Sequence, residues 1–178
     1  VIRIRHDHWL SGYRAPLDPA MPGWETTGMK DGFIHRGGFW VLAQNLWLLA
    51  ITVAGLYWGG QWRSAPVSLL GYGLLTVAAL LGIAGAAALG RNLTPFPKPS
   101  PRGRLVQTGI YRLVRHPLYT AVLCAAAGWA LVRASWPALL AALALAPLFA
   151  AKARREEEWL RQLYPEYRQY ERQVRRFV

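Results

Sequence analysis

Four apolar blocks, at residues 39–58, 66–89, 117–132 and 136–151, interrupt an otherwise polar and basic chain. Few folds accept such an arrangement. An amphipathic helix of a soluble protein shows one apolar stripe, whereas these blocks are apolar on every side, as a segment surrounded by lipid must be. In lipid every peptide group needs an internal partner, so each block reads as a helix. The first holds 20 residues, about 30 Å of helix and enough to cross a hydrocarbon core. The expected fold is all-α: a polytopic transmembrane helix bundle of about four spans, followed by a C-terminal amphipathic cytoplasmic helix.

Details within the blocks refine this. Gln44 and Asn45 interrupt the first span and should face other helices, while Trp40, Tyr57 and Trp58 mark its ends as an aromatic belt. Ala78, Gly82, Ala86 and Gly90 recur every fourth residue on the second, and Ala138, Ala142, Ala146 and Ala150 on the fourth. Small residues at that spacing let helix backbones approach closely. The third and fourth spans, about 24 Å each, are separated only by Arg133-Ala134-Ser135 and so form a tight antiparallel hairpin. Pro147 is expected to kink the fourth.

Charge sets the orientation. The segment between Gly90 and Pro117 carries six basic residues and no acidic one, and the chain after Ala151 carries eight. The other two connections hold only Arg63 and Arg133. The positive-inside rule then places both termini, and any site on the long central loop, in the cytoplasm. The net charge of +12 is accounted for by these flanks and by anionic lipid, so no nucleic-acid partner is expected. Cys124, the single cysteine, excludes an intrachain disulfide and reads as a small packing residue.

Residues 1–38 read as a polar leader, and residues 39–178 as the membrane domain. Val1-Ile2-Arg3-Ile4-Arg5 alternates like a short strand, Asp18-Pro19 and Pro22-Gly23 read as turns, and no cleavable signal peptide is recognisable. His6, Asp7 and His8 point in different directions and are followed by no further ligand cluster, so no metal site is expected. From Lys152 the chain reads as an amphipathic helix with Lys152/Glu156, Arg154/Glu158 and Glu157/Arg161 at ion-pair spacing, interrupted at Pro165.

Chemistry concentrates in the central loop and this tail. Arg91 to Pro99 is stiff and proline-rich, and Pro117 suits the first position of a new helix. Arg115, His116 and Tyr119 would cluster at that helix N-terminus, which favours an anion. Glu156, Glu157 and Glu158 supply the opposite charge. An amino-acid moiety calls for both: cationic groups for its carboxylate and a carboxylate for its ammonium. Each residue alone has a plainer reading, as a membrane-boundary anchor or a surface ion-pair partner.

The ordered set Leu105-Val106, Gly109-Ile110-Tyr111-Arg112, Arg115-His116-Pro117-Leu118-Tyr119, then a helical hairpin, then Glu156-Glu157-Glu158-Trp159-Leu160 and Tyr164-Pro165-Glu166-Tyr167 resembles the isoprenylcysteine carboxyl methyltransferase family. That family is related to the membrane phospholipid methyltransferases. The match covers residues 90–177. The resemblance implies an integral membrane enzyme using S-adenosyl-L-methionine, with a cofactor pocket between loop, hairpin and tail and a lipid-side entry for its substrate. It implies cofactor contacts at Leu105, Val106, Tyr111, His116, Pro117, Leu118, Tyr119 and Glu156, with Glu157 a second candidate. Lys152 stands where the eukaryotic carboxyl methyltransferases have a substrate-site arginine.

The expected acceptor is a lipophilic small molecule or lipidated substrate, either a prenylcysteine-like carboxylate or a lipid headgroup. Lys152, Arg115 or Arg155 would position a carboxylate or thiolate, whereas an amine needs a base, for which Glu157 or His116 is available. Two other readings stay open: a nicotinamide-dependent membrane reductase of the sterol-reductase type, and a non-catalytic membrane protein. Three consecutive glutamates argue against phosphate-bearing nicotinamide. Oligomeric state is not legible.

Overall fold

The structure is a computed structural model and describes Phe33, residues 37–98 and residues 103–177. The strand and turns expected in the leader, and the His6-Asp7-His8 group, lie outside these residues. Among the described residues five α-helices follow in order: α1 Gly38–Tyr57, α2 Ala65–Leu89, α3 Pro117–Arg133, α4 Trp136–Leu163 and α5 Tyr167–Gln173. Short 3-10 turns at Gly90–Asn92 and Gly109–Arg112 punctuate the central loop. No strand occurs among the described residues.

Helices α1, α2 and α4 are long and apolar enough to cross a membrane, and α3 is a shorter apolar helix of 17 residues. Large side chains stand outward: Leu42, Leu46, Leu69, Leu80, Ile83 and Leu140 are each more than half exposed. Water around so many leucines would carry a penalty of about 25 cal/mol per Å²; lipid removes it. The chain is an integral membrane helix bundle.

Its interior is built from small residues. Ile51, Ala54, Ala126, Ala130, Ala138, Ala142, Leu145 and Phe149 form the core shared by α1, α3 and α4. Helices α2 and α3 cross where two glycines meet, and a Cβ added to Gly128 would lie 2.8 Å from the Gly71 carbonyl oxygen. The seams differ from the four-residue repeats read in the sequence. On α4, Ala138 and Ala142 are buried, but Ala146 is not, and Leu145 and Phe149 continue the buried line. On α2 the buried positions are Gly71, Ala78 and Gly85. At 3.6 residues per turn a four-residue stripe drifts off the contact, whereas alternating steps of three and four stay on it.

Tight connections align the hairpin. Ala134, in the left-handed region at φ 52°, closes α3. Ser135 caps α4, its hydroxyl accepting from the Ala138 amide and donating to the Ala54 carbonyl at 3.1 Å. The helix then runs 28 residues without a break, with Pro147 inside it. The amphipathic tail helix is therefore not a separate element from Lys152 onward: Ala150 to Arg154 are good helix formers, and nothing there ends a helix. The last 12 residues of α4 extend it about 18 Å beyond Ala151 and place the glutamates about 8–10 Å along that extension. Pro165 lies in the break between α4 and α5.

Candidate active site

The chain approaches α3 through residues 103–108, which form no regular element and are extended at Thr108. Asn92 fixes it: its side-chain amide donates to the Arg104 carbonyl at 3.0 Å and its oxygen accepts from the Arg104 amide at 3.4 Å. The Asn92 side chain thus stands in for a strand partner. Leu105 and Val106 make no main-chain hydrogen bond among the described residues. Gly109, at φ 60°, turns the segment into the 3-10 turn, a conformation other residues adopt only with strain. Pro117 starts α3, where its missing N–H costs nothing, and His116 is the N-cap residue.

His116 and Tyr119 lie one turn apart on one face, their rings stacked at 5.1 Å between centroids. The long α4 brings its carboxylates against that face. The Tyr119 hydroxyl donates to Glu156 Oε2 at 2.5 Å, and His116 Nε2 lies 3.1 Å from Glu157 Oε1. The two glutamates differ sharply. Glu157 is fully buried and surrounded by cations: Arg176 binds it through two nitrogens at 3.0 and 2.6 Å, Arg115 lies at 3.2 Å and Arg161 at 3.5 Å. Glu156, with a side chain 26% exposed, faces an open cleft.

That cleft has about 850 Å³ of unfilled space, partly open to solvent. Leu105, Val106 and Leu118 give it apolar walls, with Leu89 and Leu160. Tyr111, Tyr119, Tyr164, Tyr167 and Tyr170 supply aromatic faces. Burial, followed by the charge of Glu156, pushes the Tyr111 hydroxyl well up. Burial also raises Tyr170, to about 12, against the pull of Arg115. These phenols stay neutral at physiological pH and act as hydrogen-bond donors and aromatic surfaces, leaving Glu156 as the carboxylate of the cleft.

Of the residues singled out in the sequence, Leu105, Val106, Tyr111, Arg115, His116, Leu118, Tyr119 and Glu156 line this cleft together. Pro117 is buried and does not line it. Glu157 sits beneath His116, outside the cleft. Lys152 is 2% exposed and does not line the cleft; it donates to Gln44 Oε1 at 2.7 Å and to the Pro95 carbonyl at 3.3 Å. Its ammonium also stands 5.1 Å from the Tyr119 ring centroid. Arg155 is on the exposed surface, paired with Glu158 at 2.8 Å and placed over Trp159. Of the three ion pairs read from i,i+4 spacing, Glu157–Arg161 forms, while Lys152 turns to Gln44 and Glu158 pairs with Arg155.

Asn92, Thr94 and Phe96 also line the cleft, and sequence reasoning passed over them. Leu160, Tyr164 and Tyr167 were legible as members of the ordered motif, but not as lining of the cleft, which they share with Tyr170. The expected anion site at the α3 N-terminus is met instead by the chain's own Glu156 and Glu157.

Comparison with known proteins gives the family. The sequence profile described as phospholipid methyltransferase matches residues 67–167, which span α2 to the start of α5. The nickel-cobalt-cadmium resistance protein NccN of Alcaligenes xylosoxydans xylosoxydans is 31% identical over 153 residues, covering 83% of this chain and 67% of the relative. The cobalt-zinc-cadmium resistance protein CzcN of Cupriavidus metallidurans is 31% identical over 156 residues, covering 83% and 66%. The chain thus spans about two thirds of the length of either relative. It belongs to the phospholipid methyltransferase family.

Proposed function

We propose that this membrane methyltransferase uses S-adenosyl-L-methionine as donor and methylates a lipophilic acceptor, with an amine-bearing lipid headgroup as the first candidate. The carrying observation is Glu156: a carboxylate held by Tyr119, in a cleft of neutral tyrosines and leucines, with its neighbour Glu157 already neutralised. Such a cleft suits a ligand that is cationic at one end and flat and apolar at the other. Glu156 and the aromatic faces would hold the cationic end. The free peptide groups of Leu105 and Val106 would hold the edge of a heteroaromatic ring. When bound, S-adenosyl-L-methionine supplies a methyl group already activated by its positive sulfur. The protein's task is then to hold the acceptor in line and exclude water.

An amine acceptor must lose a proton, and His116 is the base in reach, because Glu157 is committed to three arginines. We assign Lys152 to the lipid-side wall, where it ties α4 to α1 and to the central loop beside Tyr119. Arg115 would orient anionic groups at the cleft, and Arg155 has no evident part in the chemistry. The loop charges support a cytoplasmic site. The relatives' names connect them with resistance to nickel, cobalt, zinc and cadmium. For this chain we place any such role downstream of a methylated lipid product. Methyl transfer from labelled donor should be measured on amine-headgroup lipids, prenylated thiol compounds and chain-free analogues. Label is expected in the amine lipids. Equal turnover of chain-free analogues would contradict a lipophilic acceptor, and label confined to prenylated compounds would replace the amine with a carboxylate.

A further inference from the structure

Beyond α5 the chain returns to the mouth of α3. Arg175 forms a parallel bridge with Val114, and the amides of Arg115 and His116 donate to the carbonyls of Arg175 and Arg176 at 2.8 and 3.1 Å. Phe177 lies against the His116 ring, 5.9 Å between centroids. From this short ribbon Arg176 sends its guanidinium onto both oxygens of Glu157. Planar fork and carboxylate match, which fixes the plane of that carboxylate as well as its charge.

The chemical consequence falls on His116. A buried carboxylate among three arginines is ionised and accepts hydrogen bonds only. The ring nitrogen facing it, Nε2 at 3.1 Å, must therefore carry the proton. The opposite nitrogen, Nδ1, faces Glu156 at 3.8 Å on the side of the cleft.

We propose that Arg176 is a positioning residue of the methyl-transfer site. Acting through Glu157, it fixes the His116 ring and its Nε2–H tautomer, so that Nδ1 is left to accept a proton on the cleft side. The inference rests on the functional reading above, which makes His116 the base for an amine. Neither the family profile, which ends at residue 167, nor charge spacing singles out this arginine.

The test begins without cofactor. In the full chain in detergent, the His116 imidazole nitrogens are followed by 15N NMR, assigned against His116→Gln. The wild type should show a single Nε2–H tautomer, and Arg176→Gln a mixture. S-adenosyl-L-methionine affinity should fall about tenfold in the same variant, by analogy with the loss when the outer partner of a metal-ligating histidine is removed. Arg176→Lys keeps the charge without the fork and should restore only part of both effects. Tyr170→Phe loosens α5 by removing its hydrogen bond to the Tyr111 carbonyl, a contact that involves neither Glu157 nor its arginines, and should leave the tautomer unchanged. A retained single tautomer in Arg176→Gln overturns the proposal. So does an equal change in Tyr170→Phe, which would make docking of the segment the cause. If Arg176→Gln does not fold, the lysine variant decides: a tautomer identical to wild type overturns the proposal. A correct tautomer response in a protein that binds no S-adenosyl-L-methionine would uphold the positioning and sink the functional reading instead.

Discussion

The two ends of the bundle are held by different chemistry. At the hairpin end the locks are short and use main-chain groups: Ser135 to the Ala54 carbonyl, Arg133 to the Gly55 carbonyl, and Gly60 and Gln61 to the α3–α4 turn. At the loop end two main-chain bonds join Arg115 and His116 to Arg175 and Arg176, but the other locks run between ionisable side chains: His116–Glu157, Tyr119–Glu156, Arg176–Glu157 and Arg161–Glu171. Main-chain locks fix helices regardless of proton or ligand. Side-chain locks among charged groups can be rearranged by either. The candidate site lies at the second end, where the fold and the chemistry share residues.

The sharpest way to break the comparison is to remove the centre of the charged end. Glu157→Ala leaves Arg115, Arg161 and Arg176 facing an emptied site, and unpairing a buried charge network costs about 3–5 kcal/mol. Detergent-melting of the variant should show a loss on that scale. At the apolar contact, Gly128→Val drives a Cβ into the Gly71 carbonyl and should cost about 1–3 kcal/mol, with chemistry at the loop end preserved in whatever folds. Ser135→Ala removes a helix cap and a donor to Ala54, for about 1–2 kcal/mol; its loss should not depend on pH or salt.

Glu171 should give the smallest effect and separate the ends by acidity. Hydrogen bonding to Arg161 holds its carboxyl below the usual range. Its pKa is thus lower folded than unfolded, so its contribution is complete above the ordinary carboxylate range and is lost as pH falls through the depressed value. Because Glu171 is partly exposed, the effect should stay below about 1 kcal/mol. Hydrogen exchange should quicken in α5 on acidification while the α3–α4 turn keeps its protection. Parallel quickening at both ends would erase the distinction.

These contrasts also explain what the sequence made legible. Span boundaries at the first three helices could be read to within one residue, because lipid demands an unbroken apolar run and the helix ends with it. The continuity of α4 was hidden: the sequence changes from apolar to charged at Lys152, while helix propensity does not change there at all. The cleft residues between Leu105 and Tyr119 were recognisable as an ordered motif. Distance along the chain hid the rest. Asn92 mimics a strand partner 12 residues away, and Arg176 reaches Glu157 from a segment whose composition reads as one more basic flank. Lys152 stands at helical spacing from Glu156, yet Gln44 and Pro95 claim its ammonium from elsewhere in the fold. Local pattern gives an element's type; which of two acceptors a buried cation takes depends on tertiary distance.

The central claim is that Glu156, not the acidic cluster as a whole, receives the cationic end of a methyl donor. Titration calorimetry of the purified full chain in detergent with S-adenosyl-L-methionine, beside Glu156→Gln, tests it most directly. A charge-assisted hydrogen bond contributes about 1.5–3 kcal/mol, so saturable binding should appear in the wild type and weaken by about one to two decades in the variant. No binding to the wild type, or unchanged affinity in a folded Glu156→Gln protein, would contradict the account.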